Sequence, residues 1–481
     1  MNIIDDEFVD IPLCVDLDGT LIAGDTLLDS TLIAIKRKPF ILLFLPFWIM
    51  KGKLFFKEKI HQIAEPDYST LVFRDELLEF IESEKHKGRK IVLATASSQK
   101  IADKIADELG IFDLVLGSGN GINLRSSNKK DKLVELFGEK GFDYIGDSSA
   151  DIEVFRSSRK AYLVEPGNNV LNKTKSIGNL ENCFGRKPEL IKLILKEIRV
   201  YQWIKNTLIF LPILLAHIIP IGEYAIKLVL AFLSFSFVAS SVYVLNDLLD
   251  ISSDRQHPTK KNRPFASGKL SVKVGFLLFP LLLILGFVPS FVLLPNEFNI
   301  ILFVYFVLTT LYSFYLKRVY VADILILSLL YTLRLVAGAA VVDVLISPWL
   351  IAFSVFIFIS LACIKRYTEL FSITNRNTEQ ISGRGYLVDD INLIKTIGVN
   401  SGLISILVFM LYVNSKEVLA LYKHPIYLYI VAFLFLYWII RMWFIAVRGK
   451  MTDDPIVFTL RDKVGLFIFA SIILIVLGAS L

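Results

Sequence analysis

The sequence predicts two architectures in one chain: an N-terminal α/β domain with a doubly wound parallel sheet and a small cap, then an all-α polytopic membrane domain of about nine transmembrane helices. Three observations carry this reading. Of the 481 residues, 54% are hydrophobic, more than one soluble domain ordinarily holds. The apolarity is unevenly spread, with roughly the first 190 residues mixing charge and apolar runs and the rest alternating long apolar runs with short basic loops. Within the first part, short apolar runs end in polar residues and helical stretches follow, as in a sheet that gathers ligands at the carboxyl ends of its strands. The expected boundaries are 1–172 for the α/β domain with its cap at about 24–75, 173–194 for a linker, and 195–481 for the membrane domain.

The run IPLCVDLDGTLIAGDTL reads as a buried strand that stops at Asp16 and Asp18. RKIVLATASSQ is a second strand ending in Thr95, SSNKKDKLVELFG opens a helix with Lys129, and FDYIGDSSADIEVF is a strand ending in Asp147, with Asp151 four residues on. A carboxylate that attacks a phosphoryl group needs a metal ion to cancel charge, and a cation and a hydroxyl to hold the phosphate oxygens. Asp16 is therefore the expected nucleophile. Asp18 is the expected acid and base, protonating the leaving oxygen and then deprotonating water. Thr95 and Lys129 would grip the phosphoryl group, a role that Lys130 also reaches. Asp147 and Asp151, with Asp16 and the backbone carbonyl of Asp18, would hold Mg2+. These four motifs, in this order, resemble the haloacid dehalogenase (HAD) superfamily, and the second Asp of DxDGT points to its phosphatase branch.

The cap contains IKRKPFILLFLPFWIMKGK, an eleven-residue apolar run between cationic flanks. It is too short to span a bilayer. It reads either as a segment lying in the membrane interface or as a cap helix buried against the sheet.

Nine apolar runs of about 20 residues follow, at roughly 201–220, 225–245, 274–294, 298–316, 321–341, 345–363, 392–413, 425–445 and 463–481. Loops on one side carry Arg199, Lys260, Lys261, Lys317, Arg318, Arg384 and Arg448, whereas HIIPIGE, LPNEFN and VDVLISP lie on the other. The Lys and Arg excess places the basic side, the HAD-like domain and both active sites on the cytoplasmic face of the cell (inner) membrane. The net charge of +6 comes largely from these loops, so nucleic acid is not an expected partner. Cys14, Cys183 and Cys363 form neither a disulfide framework nor a CxxC metal site, and the five scattered histidines lack Ser partners. The acidic MNIIDDEFVD lacks the apolar core of a cleavable signal.

VYVLNDLLDISSDRQHPTKKNRP leaves the second apolar run and sets down Asp247, Asp250 and Asp254, three and four apart. On one continuous helix they fall within about 60° of one face. Three like charges on a stripe call for a cation, and Mg2+ bridges such oxygens to phosphates. Asn246 adds an amide, and His257, Lys260, Lys261 and Arg263 neutralise remaining phosphate charge. The arrangement suits stabilisation of a departing diphosphate.

NDxxDxxxD after an apolar helix, within nine spans, resembles the UbiA superfamily of intramembrane prenyltransferases over about 195–481. That superfamily typically carries a second aspartate-rich motif after the sixth span. Here CIKRYTELFSITN stands in its place, and Asp389 and Asp390 lie outside the pattern. YQWIKN, NDLLDISSDRQHPTKKNRP, LYSFYLKRVYVADILILSLLYTLRLVAGA and KRYTEL make the chain more similar to the decaprenyl-phosphate phosphoribosyltransferase branch. That resemblance implies Asp247, Asp250 and Asp254 as metal and diphosphate ligands. It implies Lys205, Lys260, Arg263, Asp323, Arg334, Lys365, Arg366 and Glu369 as substrate contacts, although Asp323 and Arg334 also fit an intramembrane ion pair. The implied partners are a polyprenyl lipid and a diphosphate-bearing co-substrate. The expected reaction is phosphoribosyl transfer from phosphoribosyl pyrophosphate to polyprenyl phosphate, with the HAD domain hydrolysing a phosphomonoester such as the product's 5-phosphate. One alternative is transfer of an isoprenoid from its diphosphate to an aromatic or other acceptor. A transporter is a further alternative, but no internal repeat supports it.

Overall fold

A computed structural model describes residues 11–119, 122–217, 222–374, 384–452 and 454–480. The chain divides into two compact units. One is the segment up to Glu197 together with Val244–Leu277; the other is Ile198–Tyr243 together with Leu278–Leu481.

In the first unit, β1 (Leu13–Val15) leads into the cap helices α1 (Thr26–Arg37), α2 (Leu45–Met50) and α3 (Lys53–Ile63). Then come α4 (Asp75–His86), β2 (Ile91–Ser98), α5 (Gln99–Leu109), β3 (Leu114–Ser118), α6 (Ser127–Phe137), β4 (Asp143–Gly146), α7 (Ile152–Ser157), β5 (Ala161–Val164), α8 (Asn168–Ile177), β6 (Leu180–Phe184) and α9 (Leu190–Glu197). The strands form one parallel sheet in the order β3-β2-β1-β4-β5-β6.

The central strands are mostly apolar because both faces are covered. The pleat sends Leu13, Val15, Leu93 and Ile145 into one core with Leu77 of α4 and Ile105 of α5. It sends Cys14, Val92, Ala94 and Tyr144 into the other, with Leu133 of α6 and Phe155 of α7. The doubly wound sheet is thus as expected, but the linker is not. β6 lies inside the segment 173–194 and completes the sheet. Its residues LENCF expose three of five side chains at the sheet edge, so the segment lacks the apolar run of a central strand.

Among the described residues, the membrane part contains eight helices long and apolar enough to cross a bilayer: Glu223–Leu249, Val272–Leu293, Asn296–Phe314, Ala322–Val342, Pro348–Ile373, Val388–Val413, Pro425–Val447 and Lys463–Ser480. The first expected span, 201–220, is not among them, and its residues 218–220 lie outside the described ones. Val200–Phe210 is a 3-10 helix, followed by the short α10 (Leu211–Leu215). A 3-10 helix stacks every third residue on one line. Trp203, Asn206 and Ile209 stand on that line. Trp203 donates to Ser240 Oγ at 2.9 Å, Asn206 donates to Ser236 Oγ at 2.9 Å, and Ile209 backs onto Gly338, where a Cβ would lie 2.0 Å from the Ile209 carbonyl oxygen.

Candidate active sites

The first site lies where the strand order reverses, between β1 and β4. Asp16 follows β1 directly, Asp147 follows β4 directly, and Asp151 opens the turn into α7. One carboxylate oxygen from each lies within 4.8 Å of the others. Lys129, in the first turn of α6, donates to Asp16 Oδ1 and to the Tyr144 hydroxyl, both at 2.8 Å, and lies 3.5 Å from Asp151. Tyr144 in turn donates to Asp151 Oδ1 at 2.8 Å. Lys130 instead pairs with its neighbour Asp131 at 2.8 Å, so Lys129 takes the position at the site.

Three acids thus face one lysine. Burial, reinforced by Asp151 and opposed by Lys129, pushes the Asp16 carboxyl up to about 7. Burial and Asp151 push Asp147 up to about 7 as well. An all-carboxylate donor set with excess negative charge fits a hard divalent cation such as Mg2+. Gly19 is required by this closeness: its φ is +83°, and a Cβ there would stand 2.6 Å from Asp147 Oδ2.

Asp18 accepts the Thr26 backbone N–H at 2.8 Å and the Ser97 hydroxyl at 2.6 Å, and the Thr26 and Ser97 hydroxyls are 2.7 Å apart. Burial, with Asp25 adding to it, pushes Asp18 up to about 6. Thr95 is fully buried on β2, its hydroxyl accepting the Ser97 N–H at 3.0 Å. Sequence reasoning missed Ser97, Thr26 and Tyr144. Only Ser97, two residues beyond Thr95, carried a signal.

The second group is in the segment that returns to the first unit. The helix α11 (Glu223–Leu249) stops before Asp250, which caps α12 (Ile251–Gln256). The continuous helix expected across the three aspartates is therefore broken, and so is the single carboxylate face. Asp247 and Asp254, two turns apart, both accept from Arg263 Nη1, at 2.9 and 2.6 Å. Asp250 instead accepts from Lys36 Nζ of α1 at 2.9 Å. Burial raises the Asp254 carboxyl against the pull of Arg263. Asn246 accepts the Asp250 N–H through its backbone carbonyl at 2.9 Å, and Lys260 is exposed in a 3-10 turn. Beside this group, Arg255 on α12 donates to Asp29 of α1 at 2.6 Å, with both side chains 6% exposed. Arg255 Nε donates to the Ala266 carbonyl.

In the second unit, Lys205 is ion-paired with Asp454, a residue of GKMTDDP. Lys205 and Arg334 approach the same Tyr331 ring, at 5.8 and 5.3 Å from its centroid. Arg334 also donates to Asn206 Oδ1 at 2.8 Å and to the Tyr305 hydroxyl at 3.0 Å. Asp323 and Arg334 do not pair. They stand on the same helix, Ala322–Val342, where eleven residues separate them by about 16 Å. Asp323 binds Arg366 and Arg384 instead, and Glu369 also accepts from Arg366, which is fully buried. Lys365 makes no hydrogen bond or ion pair among the described residues.

Comparisons with known proteins divide along the same line. Residues 209–472 match the UbiA prenyltransferase family, and residues 13–156 match haloacid dehalogenase-like hydrolase. Uncharacterized protein y4nM of Sinorhizobium fredii is 38% identical over 465 residues, 96% of this chain and 90% of that protein. Nodulation protein NoeC of Azorhizobium caulinodans is 36% identical over 265 residues, 55% of this chain and 85% of that one. Decaprenyl-phosphate phosphoribosyltransferase of Mycolicibacterium smegmatis is 36% identical over 194 residues, 39% of this chain and 59% of that one. The chain belongs to the UbiA prenyltransferase family and carries a HAD-type phosphatase domain at its N-terminus, which makes it a multi-pass membrane enzyme with two catalytic domains.

Proposed function

We propose that the membrane domain transfers the phosphoribosyl group of phosphoribosyl pyrophosphate to a polyprenyl phosphate, and that the HAD domain then hydrolyses the 5-phosphate of the product. Similarity to decaprenyl-phosphate phosphoribosyltransferase suggests the substrates. The observation that carries the chemistry is the gathering of Asp247 and Asp254 on Arg263 at the end of an apolar helix. In both domains bound Mg2+ would supply positive charge against phosphate oxygens. Asp247 and Asp254 would hold it in the transferase, and Asp16, Asp147 and Asp151 in the phosphatase.

In the transfer, a phosphate oxygen of the lipid attacks the anomeric carbon while the bond from that carbon to the diphosphate breaks, and the diphosphate leaves with the electron pair. Arg263, Lys260 and Lys365 are the cations proposed to neutralise phosphate charge, with Lys205, Asn246 and Arg334 as further contacts. Asp323, Arg366 and Glu369 would act as a buried brace within the second unit. In the hydrolysis, Asp16 attacks phosphorus as Asp18 gives its proton to the departing ribose oxygen. Asp18 then takes a proton from the water that cleaves the aspartyl phosphate. Its position at about 6 suits both exchanges near neutral pH. Thr95 and Lys129 hold the phosphoryl oxygens. Joining the two activities raises the effective concentration of the second site for a membrane-confined product. Both sites are assigned to the cytoplasmic face by the distribution of Lys and Arg.

Mass spectrometry of lipid products tests the scheme. Wild-type protein given both substrates should form polyprenyl-phosphoryl ribose, and Asp16→Asn should accumulate its 5-phosphate. Absence of diphosphate release refutes the proposal. Consumption of a prenyl diphosphate with an aromatic acid would establish prenyl transfer instead.

A further inference from the structure

We infer that the outer face of the phosphatase cap is a docking surface for an anionic lipid bilayer. The cap has two apolar faces. The inner one is accounted for, since Ile41, Leu45 and Trp48 pack with Leu27 and Ala34 of α1 and Ile60 of α3. The outer one is not. Phe40 is 80% exposed, Leu43 78% and Met50 86%, and Phe44, Phe47 and Ile49 are each more than half exposed in the whole described chain. Soluble surfaces rarely present so many large apolar side chains in one contiguous stretch.

Local sequence explains the shape. Pro39 opens a 3-10 turn and Pro46 lies in the first turn of α2, so residues 39–50 form two short helical pieces instead of one long helix. Eleven apolar residues in such a bent form cannot cross about 30 Å of hydrocarbon, but they can lie along its boundary.

Charge complementarity selects the occupant. From Ser30 to Lys57 the chain contains no acidic residue, while Lys36, Arg37, Lys38 and Lys51 bracket the apolar turns. Lys51 Nζ lies 4.6 Å from the Phe47 ring centroid and 5.1 Å from that of Phe55, so the stem lies along apolar surface. Apolar side chains between cations match the acyl boundary and the phosphate layer of an anionic leaflet. A bilayer is also always at hand, because the next segment after α9, at Val200, belongs to the membrane-spanning part of the same chain. Docking there would hold the phosphatase against lipid-borne phosphomonoesters, whichever lipid the transferase uses.

The test uses the full chain in nanodiscs that contain phosphatidylglycerol. Cys14 and Cys363 are buried, so Cys183→Ser leaves no exposed thiol, and Leu43→Cys then takes a nitroxide label. The expected result is a label more accessible to oxygen than to a water-soluble nickel chelate, by at least threefold relative to a control label at the exposed Glu139 (Glu139→Cys). Two results overturn the proposal. One is a Leu43→Cys label with the same accessibilities as the control. The other is dipolar broadening in that label which disappears on dilution with unlabelled protein, since a second copy would then be the occupant. Neither readout depends on transferase activity, so the docking surface and the proposed reaction stand or fall separately.

Discussion

Arg255→Ala should loosen the cap from the aspartate segment. Arg255 is the only cation paired with Asp29 among the described residues, at 2.6 Å, and both side chains are almost excluded from solvent. Asp29 Oδ1 is buried and has no hydrogen-bond partner among the described residues. Removing the arginine therefore strands a buried carboxylate, which costs about 3–5 kcal/mol. Expressed as an opening equilibrium, that is a roughly 150- to 4,000-fold increase. Burial already raises the Asp29 carboxyl, with Arg255 opposing the rise, so loss of Arg255 raises it further. The neutral acid carries no charge to strand, and the penalty should shrink as pH falls. Hydrogen exchange of α1 reads this directly, because local opening controls exchange of its amides. At pH 8 the α1 amides of the variant should exchange at least 100-fold faster than in wild type, with α6 unchanged and a smaller difference at pH 6. An α1 exchange rate within twofold of wild type at pH 8 would refute the assignment of this pair as the latch.

Three further outcomes follow from the phosphatase site. Asp16 and Asp147 titrate at about 7 in the metal-free site, far above an unfolded carboxylate near 4, so protons compete with the metal ion as pH falls through 7. The Mg2+ concentration for half-maximal p-nitrophenyl phosphate hydrolysis should therefore fall at least tenfold from pH 6 to pH 8. By the same sign, the metal-free domain loses stability as pH rises from about 4 to 7, because the folded state holds protons the unfolded state has released. Lys129→Met removes the cation that touches both Asp16 and Tyr144 and should lower phosphatase kcat by about 10²–10³ with diphosphate release unchanged. A loss below fivefold would place phosphate binding elsewhere.

The clustered acids of the HAD-type domain were legible because a parallel sheet carries the ends of β1 and β4 to one place, whatever lies between them in sequence. Placement at strand ends, together with the HAD-like motifs, thus grouped Asp16, Asp147 and Asp151 in the sequence. Ser97 and Thr26 were not legible as partners of Asp18, since their hydrogen bonds depend on how the cap folds back over the strand ends. β6 escaped notice because an edge strand needs only one covered side. The first apolar run reads as an α-helical span, yet the three-residue spacing of Trp203, Asn206 and Ile209 fits a 3-10 helix once their partners are known, and its rise of about 2.0 Å per residue lets a shorter segment reach as far. Periodicity alone gives no warning of this. Asp323 and Arg334 were open to pairing on paper, but helix geometry keeps them apart, and Arg366 and Arg384 claim the acid instead.

The first unit is made of two stretches of chain, and Asp29 and Arg255 come from different ones, 226 residues apart. A ribosome adding about 5–20 residues per second delivers the arginine some 10–45 seconds after the aspartate. During that interval the cap helix carries a buried acid without its counter-ion. The missing piece is made only after Glu223–Leu249, a helix long and apolar enough to cross a membrane. A latched cap is thus a record that synthesis has passed the first long apolar helix, and a chain cut short before Arg255 would keep its phosphatase half loose and open to proteolysis.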